Sequence, residues 1–115
     1  MTVSAAGAWL SCAADTARLD RFHGDGWIAA GDAAASFDPL SSQGIMSAMQ
    51  AGQRAADAVL GRESFSGYTA MIEASVQRYL VQRAAVYAQE RRWADAPFWR
   101  RRQHMPSDES AAARV

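Results

Sequence analysis

The chain has 115 residues and balances twelve basic residues, all arginine, against twelve acidic ones, for a formal net charge of zero. That length holds one domain at most, whose core hides about two thirds of the surface exposed on unfolding. Neutral charge argues against a dedicated nucleic-acid binder, and a hydrophobic fraction of 50% argues against general disorder.

Residues 1–16 are rich in alanine, serine and glycine, show no period and read as a weakly structured lead-in. They lack the basic start of a signal peptide. They hold the single cysteine, Cys12, so no internal disulfide and no cysteine-based zinc site is expected. Residues 17–22 alternate loosely and suit a short strand. His23-Gly24-Asp25-Gly26 reads as a turn, because Asp-Gly favours positive φ. Residues 27–30 are a short apolar run, the pattern of a buried strand, ending at Gly31-Asp32. Residues 33–43 form a loop around Pro39. A helix is expected over residues 44–60, where Ile45, Ala48, Met49, Gly52, Ala56 and Val59 recur at steps of three and four. Ser41 or Ser42 suits its cap and Gly61 its stop. A second helix is expected from about Ser66 to about Arg92. Its stripe is Tyr68, Met71, Ile72, Val76, Tyr79, Leu80, Val86 and Tyr87, and Pro97 lies beyond its end. Residues 107–115 read as a frayed tail. The expected fold is an α/β fragment, mostly α-helical, with one or two short strands, a contacting loop and two main helices.

Chemistry concentrates in residues 27–44, WIAAGDAAASFDPLSSQG. Gly31 allows close approach of another backbone or a ligand at the end of the strand. Asp32 puts a carboxylate just beyond it, where open α/β folds bind ligands, and a carboxylate accepts hydrogen bonds from sugar-like hydroxyls. Ser42 to Ile45 open a helix whose first amides have no helical partner and favour an anionic or electron-rich group. The same residues also fit a bland reading, with Asp32 bonded to its own loop and Asp38-Pro39 as an ordinary turn.

The run GDAAASFDPLSSQGI resembles the C-terminal flavin motif of the FAD-dependent monooxygenases, geranylgeranyl reductases and tryptophan halogenases. In that superfamily a Gly-Asp pair ends a strand and its aspartate meets the ribityl chain of FAD. An Asp-Pro loop passes the isoalloxazine ring, and the next helix aims its first amides at the flavin N1–C2 edge. The resemblance implies cofactor-binding roles for Gly31, Asp32, Asp38, Pro39, Gly44 and Ile45. It also implies that Ala48, Gly52 and Ala56 let the helix pack closely beneath the cofactor. The run YAQERRWADAPFWRRR is similar to the tail of the flavoprotein branch that matures glycine and lysine oxidases. Together these likenesses span roughly residues 17–102, and residues 17–106 are the expected FAD-contacting segment.

The superfamily's G-x-G-x-x-G turn, which holds the ADP half of FAD, has no counterpart here, and the halogenase lysine is absent because the chain has no lysine. The expected function is therefore the C-terminal FAD-binding portion of a flavin-dependent oxidoreductase. The chain alone is expected to bind FAD weakly or not at all, to carry no catalytic residue and show no turnover, and to rely on a partner protein for the missing N-terminal part.

The rival reading is a non-catalytic interaction module. Arg91, Arg92 and Arg100 to Arg102 alternate with Trp93, Phe98 and Trp99, a pattern that suits nucleic acid or a partner protein. The same residues equally suit a helix end whose aromatics pin the tail to the body. His23 and His104 are read as surface residues and no metal is expected. No apolar run reaches the roughly 18 residues of a membrane span, and we expect a cytoplasmic protein.

Overall fold

The computed structural model describes residues 16–103 and 113–114. Most of the lead-in, with Cys12, and most of the tail, with His104, lie outside the described residues.

The first strand is shorter than expected: β1 covers only Ala17–Arg18. Asp25-Gly26 turns the chain between β2 (His23–Gly24) and β3 (Trp27–Ile28), with Gly26 at φ 76°. A two-residue Asp-Gly loop is the connection expected for a tight antiparallel hairpin. His23 faces Ile28, and the Trp27 indole lies over Gly24 so closely that a Cβ there would come within 2.5 Å of Nε1. Trp27 is 46% exposed, so the burial expected of residues 27–30 falls on Ala29.

The loop after Gly31-Asp32 holds a strand that periodicity did not reveal. β4 (Ala35–Ser36) runs antiparallel to β1, pairing Ala17 with Ser36 and Arg18 with Ala35. Two residues carry too little alternation to register as a strand. From the tail, β5 (Ala113–Arg114) pairs in parallel with the other edge of β1.

Helix α1 spans Gly44–Val59 and α2 spans Phe65–Tyr87. Gly61 ends the first as expected, at φ 71°, with its N–H bonded to the Ala58 carbonyl at 3.2 Å. Ser64 caps the second by accepting from the Gly67 amide at 3.0 Å. An Arg54–Glu63 ion pair bridges α1 to this connection.

The core lies between the strands, α1 and α2. Phe22 and Tyr68 are its most buried large side chains, with Ile72 and Val76 beside them. The Tyr68 hydroxyl donates to the Ala29 carbonyl at 2.6 Å, which satisfies a buried polar tip and ties α2 to the chain two residues before Gly31. Of the stripe expected on α2, Tyr68, Ile72, Val76, Tyr79 and Tyr87 are buried, Met71 and Leu80 are half-buried against the core, and Val86 is 45% exposed. On α1 the helix is where periodicity puts it, yet the face differs. Ala51, Ala55 and Ala58 are buried, whereas Ile45, Met49 and Val59 are 81%, 67% and 63% exposed. Alanine is chosen at the contact because small side chains let the Gly31 turn and α2 come close.

Helix α2 stops short of the expected Arg92. Glu90 accepts from the Arg92 amide at 2.8 Å and from its guanidinium, which draws the chain into a turn. A short third helix follows, α3 (Pro97–Gln103). Pro97 starts this helix, since proline is preorganised for a first helical position and its missing N–H costs nothing there. No helix among the described residues is long and apolar enough to cross a membrane.

Candidate functional site

Gly31, Asp32 and Ala33 form a single 3-10 turn that leaves the extended Ala30 and heads into β4. Gly31 sits at φ 58°, in the left-handed region that glycine adopts without cost. A Cβ at Gly31 would stand 3.1 Å from the Ala48 Cβ of α1. The close approach at this glycine is therefore made by the neighbouring helix. Ala48 serves that contact, while Gly52 and Ala56, expected beneath a cofactor, are exposed.

The turn brings Asp32 out to solvent beside the start of α1. Gln43 occupies the cap position and no side chain caps the helix, so the expected Ser41 or Ser42 cap does not form. Ser42 instead takes a left-handed conformation, φ 52°, and bonds its N–H to the Pro39 carbonyl at 3.1 Å. That geometry turns the chain into α1 at the expense of a serine cap. The first helical bond runs from the Ser47 amide to the Gln43 carbonyl at 2.9 Å. The amides of Gly44, Ile45 and Met46 precede it and have no partner within the helix.

Gly31, Asp32 and Gly44 line one cleft, whose floor includes Ala48 and Met71. Its cavity of about 30 Å³ has room for a water molecule or two, whereas ligand pockets run to hundreds of Å³. What the chain offers is an edge: a carboxylate that accepts from hydroxyls, next to amides that donate to an electron-rich group.

Asp38 takes a different position. It is 8% exposed and its carboxylate points into the protein. Oδ1 accepts from the Leu40 amide at 3.0 Å, and Oδ2 accepts from the Tyr87 hydroxyl at 2.7 Å and lies 3.4 Å from the Arg102 guanidinium. The Asp38 amide donates to the Tyr79 hydroxyl at 3.0 Å. Burial works to raise the Asp38 carboxyl, but the Tyr87 and Leu40 donors and the charges of Arg102 and Arg83 outweigh it and hold the group below its ordinary value. Burial, followed by the bond to the Asp38 carboxylate, pushes the Tyr87 hydroxyl up. Pro39 is exposed and opens a second 3-10 turn. Of the six residues the motif implicates, the cleft gathers Gly31, Asp32 and Gly44, Ile45 is exposed beside it, and the Asp38 side chain faces away.

The arginine–aromatic tail is also accounted for in large part. Trp99 and Phe98 meet the Tyr87 ring edge-on at 5.9 and 6.5 Å between centroids. The Arg102 guanidinium lies 5.6 Å from the centre of that ring. Gln103 donates to the carbonyls of Tyr87 and Glu90, the first of which also accepts from the Glu90 amide at 3.3 Å. Sequence reasoning missed Tyr79, Tyr87 and Arg102 as partners of the Asp-Pro loop. The available signal was two tyrosines on a buried stripe, each with a polar tip needing a partner. Among the described residues no group of three metal-binding side chains comes together.

No family model matches the chain, and no solved structure matches it. It is similar to two curated proteins. One carries the name FAD-dependent oxidoreductase LodB, from Marinomonas mediterranea. It is 38% identical over 80 residues, covering 68% of this chain and 22% of that protein. The other is a brominase of 1H-pyrrole-2-carbonyl peptidyl-carrier protein from Pseudoalteromonas luteoviolacea. It is 50% identical over 42 residues, covering 36% of this chain and 10% of that protein. The chain thus spans about a fifth of the first relative and a tenth of the second.

Proposed function

We propose that this chain is the C-terminal, FAD-contacting portion of a flavin-dependent oxidoreductase of the monooxygenase and halogenase kind. The observation that carries the reading is the meeting of Gly31, Asp32 and Gly44 at one cleft, with the uncapped start of α1 beside an exposed carboxylate. The names of the two relatives point to the same chemistry.

In this reading Asp32 accepts hydrogen bonds from the ribityl hydroxyls, and the amides of Gly44 and Ile45 donate to the N1–C2 edge of the ring. Those amides and the positive end of α1 favour negative charge at that edge, the kind of preorganised electrostatic help that flavin chemistry uses. Bound flavin supplies the redox chemistry, and the protein supplies position and field. Pro39 lines the ring from the loop, and Asp38 contributes through its backbone carbonyl, since its side chain is committed to Tyr87 and Arg102 and its amide to Tyr79. Contacts to the ADP half and to the substrate come from parts of such a protein that lie outside the matched region, carried by the same or a partner polypeptide. The likeness to a protein named as an FAD-dependent oxidoreductase supports the oxidoreductase part of the reading, and the oxidase-maturation branch is proposed on the run from Tyr87 to Arg102. The interaction-module reading has less support, because Phe98, Trp99 and Arg102 are engaged with Tyr87 and Asp38.

The cleft and the uncapped helix start are already formed in this chain, so weak binding is expected rather than none, and the test is residue-resolved. Millimolar FAD is expected to shift the amide resonances of Gly31, Asp32, Gly44 and Ile45, which suits a Kd near 1 mM, about −4 kcal/mol. Asp32→Ala is expected to weaken that binding about tenfold, the loss of one hydrogen bond to a charged group. Shifts that are absent, scattered elsewhere or unchanged by Asp32→Ala count against the reading.

A further inference from the structure

Asp38, Tyr87 and Arg102 join three separate pieces of chain. Asp38 sits in the loop before α1, Tyr87 on the last turn of α2 and Arg102 on α3. The Tyr87 hydroxyl at 2.7 Å and the Arg102 guanidinium at 3.4 Å both address Oδ2, from 49 and 64 residues downstream. The arrangement is closed from other sides as well. Tyr79, about two turns earlier on α2, accepts the Asp38 amide at 3.0 Å and shares a hydrogen bond with Thr16 at 2.9 Å. Its ring also meets the neighbouring Phe37 ring at 4.7 Å. Arg102 covers Tyr87 and Phe98 with its guanidinium, so the charge that reaches Asp38 is held in place by rings.

The consequence falls on α1. Residues 39–43 are all that separate Asp38 from Gly44, and Leu40 and Ser42 are bonded within that short stretch, to Asp38 Oδ1 and to the Pro39 carbonyl. The short tether therefore couples the direction in which Gly44 and Ile45 present their amides to where Asp38 is anchored, alongside the packing of Ala48 on the Gly31 turn. No side chain caps α1 to fix it independently.

We infer that Asp38, Tyr87 and Arg102 form a latch by which α3 and the end of α2 position the start of α1, making Asp38 a positioning residue. The arginine-rich C-terminal helix then belongs to the site without touching it. The positioning role rests on the reading of Gly44 and Ile45 as flavin contacts; the latch itself rests on geometry alone.

The test uses the full chain with Tyr87→Phe, which keeps the ring and removes the bond to Asp38. Amide hydrogen exchange is expected to quicken at least tenfold at Leu40 and Ser42, while the Ala29 and Gly61 amides, bonded elsewhere, keep their rates. The FAD-induced shifts of Gly44 and Ile45 are expected to shrink at least twofold while that of Asp32 persists. Arg102→Gln is expected to give the same local pattern. Exchange that quickens uniformly, or not at all, overturns the latch. Shifts at Gly44 and Ile45 that stay at full size overturn the positioning role. If the unaltered chain shows no flavin shifts, the flavin reading fails and the positioning role with it, while the exchange rates still decide whether the latch exists.

Discussion

Replacing Asp38 by alanine is expected to destabilise the protein by about 3 kcal/mol, the low end of the range for breaking a buried charged pair. The reason is what the substitution leaves behind. The Tyr87 hydroxyl and the Leu40 amide lose their acceptor, and the Arg102 guanidinium loses its counter-charge, all around a side chain that is 11% exposed. The side chain of Arg102 is 21% exposed, so water recovers part of its loss, which keeps the figure at the low end. Urea denaturation followed by tryptophan fluorescence measures it directly. A loss under about 1 kcal/mol, the worth of one ordinary hydrogen bond, contradicts the account.

The same residue gives the stability a sign in pH. The Asp38 carboxyl is held below its ordinary value in the folded protein, so between the folded and unfolded values the unfolded chain binds the extra proton. Its contribution is therefore complete above the unfolded value, about 3.9, and is lost as pH falls through the lower folded value. Glu63 and Glu90, each drawn down by its own arginine, titrate in the same direction. Asp38→Asn separates them. It is expected to lower stability at pH 7 and to flatten the acid limb, and parallel limbs for the two proteins contradict the assignment.

The helices and the hairpin were legible because their signals are local. Apolar steps of three and four mark α1 and α2, Asp25-Gly26 marks the hairpin and Gly61 marks the stop between helices. Three features were not legible, each for a physical reason. Pro97 breaks one helix and starts another with equal ease, and only the packing of Phe98 and Trp99 on Tyr87 decides which. The buried face of α1 is its alanine face, Ala51, Ala55 and Ala58, whose small side chains add little to an apolar period that the bulkier, exposed Ile45, Met49 and Val59 dominate. The direction of Asp38 is fixed by tyrosines 41 and 49 residues away, a distance over which spacing carries no information. The site was thus readable as a set of residues along a motif, and unreadable as an arrangement in which one carboxylate faces the cleft and the other faces inward.

Gly31 tests whether that arrangement depends on the contact between its turn and α1. Gly31→Ala is expected to cost about 2–3 kcal/mol, from two separable sources. The left-handed conformation at φ 58° strains any residue with a Cβ, by about 1–2 kcal/mol. The added Cβ also stands 3.1 Å from that of Ala48, so the turn or the helix must give way, at about 1 kcal/mol or more. Ala48→Gly distinguishes the two. Alone it costs about 1 kcal/mol, as glycine does within a helix. Combined with Gly31→Ala it removes the clash and leaves the strain, so the pair should be better than additive by about 1 kcal/mol in a double-mutant cycle. Strict additivity would mean that strain alone dictates glycine here. A measured coupling would mean that the spacing between the Asp32 turn and the first turns of α1 is set by this one contact. In that case Gly31→Ala should also reduce the FAD-induced shifts at Asp32, where the turn is displaced, more than those at Ile45.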